Sequence, residues 1–443
     1  MNRAIFLAIT AANLLGLLSG FSIAVITGAL PFLIPEFQLN SGMQGWAIYT
    51  MFIGAFFGAL LIGRSSDFYG RRPMLMAVAL LFLISAVATG VASSFNFFLV
   101  SRFITGIAIG GATVLSPVYI SELSPPALRG RLVASFQLSI VIGILIAFFT
   151  NHLLLDTGAN NWRFMFIVGG LPTLLFFLLL VFVPESPRYL MQRGLEHETD
   201  VVIRRISPDI DKFQFMKEFK ESMNIKILAS NGALFKQSYS KLLFIGIAIG
   251  MFNQLTGINV VIFYLTDFFR SVGINKNSGI ELALIIGLTN LIFTIVAINF
   301  IDKTGRKKLL LIGSIGMGVC LLLLSILFTA GMGGSYIILL ILAGFFGFYA
   351  VSQGTVMWVL LSELFPNSIR VRGAAIGSSS FWFFNVVVSL LFPVITVNLG
   401  VGILFGFFAA ATLGSFFFFR KYLVETKGKS LEMMENYMIK KDS

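Results

Sequence analysis

Apolar runs long enough to cross a bilayer follow one another from end to end of this sequence. Twelve can be read, over residues 4–33, 43–63, 73–94, 97–121, 131–153, 164–183, 242–268, 280–301, 308–330, 336–362, 370–397 and 400–420. A helix needs about 20 apolar residues to span the hydrocarbon core. Within that core each backbone N–H and C=O must find its partner inside the chain, which favours helices. The fold class predicted is therefore all-α and integral to the membrane. The charge content agrees. Only 12% of the residues are Asp, Glu, Lys or Arg, about half the share of a soluble domain, too few to clothe a water-facing surface. The first run is too long for a signal-peptide core and lacks a small-residue cleavage pattern, so it reads as a retained helix.

Basic residues fix the orientation. With the N-terminus inside, the opposite side holds Arg163, Arg270 and Lys276, and Arg102 lies within the fourth run. The other Lys and Arg residues, out of 32, fall in loops and tails of one side. Both termini are thus expected in the cytoplasm, and the net charge of +12 reads as topology, not as nucleic-acid binding. The absence of any Asn-x-Ser/Thr acceptor fits a bacterial inner membrane. Four parts are expected: residues 1–183 as one six-helix bundle, 184–241 as a cytoplasmic linker with short amphipathic helices, 242–420 as a second bundle, and 421–443 as a cytoplasmic tail.

The halves repeat each other. Ser121-Glu122-Leu123-Ser124-Pro125 through Leu128-Arg129-Gly130-Arg131 returns as Ser362-Glu363-Leu364-Phe365-Pro366 through Ile369-Arg370-Val371-Arg372. Asp67-Phe68-Tyr69-Gly70-Arg71-Arg72 returns as Asp302-Lys303-Thr304-Gly305-Arg306-Lys307, and Glu185 and Glu425 follow the last run of each half. Six runs per half make the repeats parallel, the arrangement in which one bundle rocks against the other around a midplane site. Acids and arginines at fixed, repeated positions suit an ion-pair network that holds one face shut. Its expected members are Asp67, Arg71, Arg72, Glu122, Arg129, Glu185, Arg188, Asp302, Arg306, Glu363, Arg370 and Glu425.

These residues carry a family resemblance. Gly63-Arg64-Ser65-Ser66-Asp67-Phe68-Tyr69-Gly70-Arg71-Arg72 resembles the loop 2–3 signature of the major facilitator superfamily. Pro184-Glu185-Ser186-Pro187-Arg188 resembles the exit motif after the sixth helix in its sugar porter branch. Arg129-Gly130-Arg131, Gln254-Leu255-Thr256-Gly257-Ile258-Asn259 and Glu425-Thr426-Lys427-Gly428 fit the same branch. The resemblance covers about residue 16 to 432. It implies the major facilitator fold, with twelve transmembrane helices in two pseudo-symmetric bundles, and alternating-access transport of a hexose or pentose by a monomer.

A sugar is a neutral ring of hydroxyls. Its site calls for amides, which donate and accept, and for aromatic faces. Amides are costly in a membrane helix and usually line a cavity, although they also join helices to one another. Candidate substrate-binding residues are Gln137, Asn253, Gln254, Asn259, Asn290, Gln353, Asn385, Trp358 and Trp382, with Tyr264 as a gate. The matching sugar porter positions imply substrate contact for Gln137, Gln254, Asn259 and Asn290. The tenth run departs from the branch: its proline-rich stretch is Gln353-Gly354-Thr355-Val356-Met357, an upstream glutamate is Ala350, and the residue before Trp382 is Phe381. Gln353 is expected to supply a substitute contact.

Ser22 and Arg102 bear on coupling. Proton-driven sugar porters pair an aspartate in the first helix with an arginine in the fourth; here Arg102 stands at the arginine and Ser22 at the aspartate. Serine does not titrate near neutral pH, and arginine stays protonated. The expectation is uniport, as in the facilitative glucose transporters that the 137–148 segment also resembles. The alternatives are a proton-coupled sugar or polyol symporter and a non-transporting sugar sensor, the latter disfavoured by the short tail. Cys320, His152 and His197 do not make a metal site, no phosphate loop or catalytic triad is present, and no cofactor, metal or enzymatic activity is expected.

Overall fold

The computed structural model describes residues 3–158, 160–180, 182–206, 237–263, 276–332, 337–367 and 369–429. The first half runs α1 (Arg3–Glu36), α2 (Ser41–Tyr69), α3 (Arg71–Gly90), α4 (Phe95–Leu123), α5 (Arg129–Leu154), α6 (Asn161–Val168) and α7 (Leu171–Leu180). Two short helices follow, α8 (Pro187–Gln192) and α9 (Glu196–Ile206). The second half holds α10 (Gln237–Gln254), α11 (Ile258–Phe263), α12 (Lys276–Thr304), α13 (Arg306–Thr329), α14 (Ile337–Tyr349), a π turn (Ala350–Gly354), α15 (Thr355–Glu363), α16 (Arg370–Leu399) and α17 (Val401–Tyr422). Among the described residues ten helical segments are long and apolar enough to cross a membrane. Large apolar side chains such as Val397, Leu340, Leu178 and Phe417 point outward, as a protein with lipid for solvent requires.

Three expected spans are not single α-helices. The sixth bends at Gly169-Gly170, between α6 and α7. The seventh breaks at Leu255–Gly257, between α10 and α11. The tenth passes through the π turn. Interruptions of this kind inside a membrane are tolerated where the freed backbone groups are buried in protein or line a cavity.

Small residues set the packing within each half. A Cβ on Gly54, Gly58, Gly106 or Gly110 would run into main-chain atoms across the α2–α4 contact. Gly20 and Gly143 do the same between α1 and α5, and Gly250 between α10 and α16. Helices that approach this closely gain dispersion contacts along their length, which substitutes for the hydrophobic drive that lipid removes. The halves meet along two equivalent lines, α2 against α16 and α5 against α12.

Candidate functional site

Two glycines make the repeated turns possible. Gly70 and Gly305 have φ of +101° and +92°, a region open to glycine and costly for residues with a Cβ. Each turn starts a helix whose first N–H groups have no intrahelical partner. An acid from the end of the same half supplies one. Glu185 Oε1 accepts from Arg71 N at 3.0 Å and Glu185 Oε2 from Arg72 N at 3.1 Å. Glu425 accepts from Arg306 N at 2.9 Å and Lys307 N at 3.1 Å. Burial pushes the Glu185 carboxyl up from its ordinary value, opposed by the backbone N–H groups of Ser186, Arg72 and Arg71.

The guanidinium that follows each turn reaches the acid that ends a neighbouring helix. Arg71 Nη2 lies 3.2 Å from Glu122 Oε1, and Arg306 Nη2 lies 2.9 Å from Glu363 Oε1. All four side chains are buried. Both pairs are made within a half. Contacts between the halves come from other groups: Arg372 Nε to Asp67 Oδ2 at 3.0 Å, and the main-chain N–H of Arg131 to Asp302 Oδ2 at 2.9 Å. Arg129 donates to the Lys429 carbonyl at 3.1 Å, Arg188 to the Glu122 carbonyl, and the charge of Arg370 acts on Glu122. Arg72 contributes its main-chain N–H to Glu185. The end of the molecule with the basic loops is thus tied across the two halves. Arg131 and Arg372 are the second arginines of the repeated Arg-x-Arg pairs, nine residues after Glu122 and Glu363.

At mid-depth the amides are inside the protein. Asn253 is a hub: its Nδ2 donates to the Gln353 carbonyl at 3.1 Å, and its Oδ1 accepts from Tyr349 Oη at 3.2 Å and Gln254 Nε2 at 3.3 Å. Asn259 Nδ2 donates to Gln254 Oε1 at 2.9 Å. The break between α10 and α11 lets these two amides face each other, and the π turn presents Gln353 to Asn253. A second group spans the halves. Trp358 Nε1 donates to Gln137 Oε1 at 2.9 Å, Phe381 packs on both Trp358 and Trp382, and Trp382 stacks on Phe52 with centroids 5.8 Å apart. Trp382 Nε1 also points to Thr113 Oγ1 at 3.4 Å. Asn290 accepts from Thr294 at 3.4 Å, and Asn385 from Ser389 at 3.3 Å. Two buried amide nitrogens, Gln353 Nε2 and Asn385 Nδ2, have no hydrogen-bond partner among the described residues. Tyr264 lies outside the described residues. Tyr349, Phe52 and Thr113 were not anticipated; a lone tyrosine, phenylalanine or threonine in an apolar run carries no pattern.

The coupling position is in α1 and α4. Arg102 is 1% exposed; its Nη1 donates to the Ser22 carbonyl at 3.0 Å, and its Nε and Nη2 have no hydrogen-bond partner among the described residues. The Phe166 ring lies 5.5 Å from the guanidinium carbon, a contact worth about 2 kcal/mol when desolvated, while burying an ion costs several kcal/mol even after relaxation. Three described acids of this half are engaged elsewhere, Glu36 with Arg163 at 3.1 Å, Asp67 with Arg372, and Glu122 with Arg71, and a fourth, Asp156, is exposed in the turn after α5.

A family profile described as "Sugar (and other) transporter" matches residues 8–437. This chain belongs to that family. The arabinose-proton symporter of Bacillus subtilis (strain 168) is 36% identical over 436 residues, 97% of this chain and 94% of that protein. The D-xylose transporter of Levilactobacillus brevis is 35% identical over 425 residues, 95% and 93% of the two chains. The proton:xylose symporter XylE, solved with 6-bromo-6-deoxy-D-glucose, matches with a TM-score of 0.91 at 32% identity, covering 98% of this chain and 99% of that one. The inward-open form of XylE from E. coli gives a lower TM-score, 0.74. The chain therefore has the major facilitator fold, and its family consists of membrane transporters, not enzymes. The poorer match to the inward-open form accords with the ties between the halves at the basic end.

Proposed function

We propose that this protein carries a hexose or pentose across a bacterial inner membrane by alternating access, as a monomeric uniporter with both termini in the cytoplasm. Residues 1–183 and 242–420 serve as the two rocking bundles, joined by 184–241, with 421–443 as a tail. The sugar lies between them, its hydroxyls met by Gln137, Asn253, Gln254, Asn259, Asn290, Gln353 and Asn385 and its apolar face by Trp358 and Trp382. The buried, unpartnered N–H groups of Gln353 and Asn385 support this reading, because a buried donor without an acceptor costs stability and a sugar hydroxyl would supply one. The sugar-named relatives support the substrate class.

The observation that carries uniport is at Arg102. Its one acceptor among the described residues is a main-chain carbonyl, and a carbonyl does not titrate. Proton coupling needs a group whose charge changes as the site alternates. The second reading, proton symport, is favoured by relatives named as proton symporters; it would require an acid outside the described residues, such as Asp267 or the side chain of Glu281. Proteoliposomes loaded at one pH and diluted into another decide between them. Uniport predicts equilibration of labelled sugar to the external concentration and no further. Accumulation that a protonophore collapses would overturn it.

A further inference from the structure

A cavity with room for roughly one water-sized particle, about 10 Å³ of space for its centre, lies inside the first bundle against Arg102. Its polar wall is made by Ser22, Ser85, Thr89, Thr105 and the guanidinium; Phe21 and Phe166 are among its apolar neighbours. Arg102 is buried and makes no ion pair among the described residues, and two of its N–H-bearing nitrogens have no protein acceptor. Arginine does not escape such a place by losing its proton. A buried charge is tolerated when it is paired or hydrogen-bonded, and the wall offers hydroxyls instead of a carboxylate. Ser85, Thr89 and Thr105 now turn their hydrogens to carbonyls of their own helices, and a hydroxyl rotates to suit a better acceptor.

We infer that this cavity is a binding site for a small monovalent anion, chloride, which serves as the counter-ion of Arg102. One negative charge balances one guanidinium. The small volume suits a monatomic ion better than phosphate or sulfate. Ser22 is half-buried on the α1 side, and its carbonyl already takes one of the guanidinium N–H groups, so the remaining donors are left to the anion. The site is independent of which sugar is carried and of how transport is driven, since binding is read directly.

The test uses the full chain, purified without chloride in sodium gluconate. Sodium chloride is titrated in at constant ionic strength while thermal unfolding is followed, because a ligand stabilises the form it binds. The expected result is a saturable rise in Tm with chloride, with bromide giving the same response. Ser22→Asp, which offers Arg102 a carboxylate, should abolish the rise, and Arg102→Gln should abolish it too. Should Ser22→Asp fail to fold, Arg102→Gln and an anomalous-scattering peak beside Arg102 in bromide-grown crystals carry the same decision. An unchanged Tm across the titration in the parent protein would overturn the site. So would a response that survives unaltered in Arg102→Gln.

Discussion

The indole Nε1 of Trp358 donates to Oε1 of Gln137 at 2.9 Å, one hydrogen bond that crosses from the second half of the chain to the first at the level of the amide cluster. Both groups are buried. A sugar entering here would exchange with this bond, taking the amide for one of its hydroxyls and the indole face for its ring. Gln137→Ala should therefore raise the Kd for sugar by roughly tenfold, the equivalent of about 1.4 kcal/mol, with Tm changed little. Equilibrium binding measured by tryptophan fluorescence checks this; an unaltered Kd would remove Gln137 from the site.

Gln353 makes a separate prediction. Its side-chain nitrogen is buried without a partner, so it contributes nothing to the stability of the sugar-free protein through that group. Gln353→Ala should weaken sugar binding by about 1 kcal/mol, the net worth of one hydrogen bond, while leaving thermal stability unchanged or raised. Parallel binding and unfolding measurements separate these effects.

At the basic end Asp67 and Arg372 hold the halves together. The side chains are 21% and 47% exposed, and an exposed pair is worth about 0.5 kcal/mol. Arg372→Ala should thus shift the balance toward the opposite-facing state by only two- to threefold. The alkylation rate of a cysteine placed at the α2–α16 contact, in a Cys320→Ser background, reads the shift. Asp67→Asn should give a shift of similar size, and the double change should add little.

The two acid caps give a stability prediction. Glu185→Ala and Glu425→Ala each strip the first N–H groups of a buried-turn helix, α3 and α13 respectively, at a cost of about 1–2 kcal/mol each. The sites lie in different halves and share no partner, so the costs should add to within about 0.5 kcal/mol. Denaturant titration of the two single variants and the double variant tests it.

Gly106 faces the Met51 carbonyl at the α2–α4 contact. Gly106→Leu should cost about 3 kcal/mol or more, because the obstacle is main chain and cannot rotate aside. Loss of monodisperse protein in detergent is the expected readout.

Much of this architecture was written in the sequence in a form that hydropathy and repetition reveal. Apolar length marked the spans, and the doubled Asp-x-x-Gly-Arg-[Arg/Lys] and Glu…Arg-x-Arg patterns marked the buried ion pairs. The three interrupted helices were not legible. Gly169-Gly170 sits inside a run as apolar as any other, and the amides and glycines around Leu255–Gly257 and Ala350–Gly354 mark a polar site without marking a break; tertiary packing decides where such a run unwinds. The division of labour among the charges also stayed hidden. Glu185 and Glu425 were grouped with the side-chain ion pairs, whereas their nearest partners are main-chain N–H groups, and the ties between halves fall to Arg131 and Arg372. Spacing says that an acid and a base are near each other along the chain; it does not say which of several bases comes to face it across a contact between bundles.

The acid clamps on Gly70 and Gly305 have an outcome for biogenesis. Glu185 reaches back to a turn made four spans earlier, and Glu425 does the same in its own half, so neither turn is finished until its whole set of spans has left the ribosome. The leading set can thereby lock as a unit while the trailing set is still being synthesised, and a protein born in two self-latched pieces is already divided into the parts that the proposed alternating access would swing past each other.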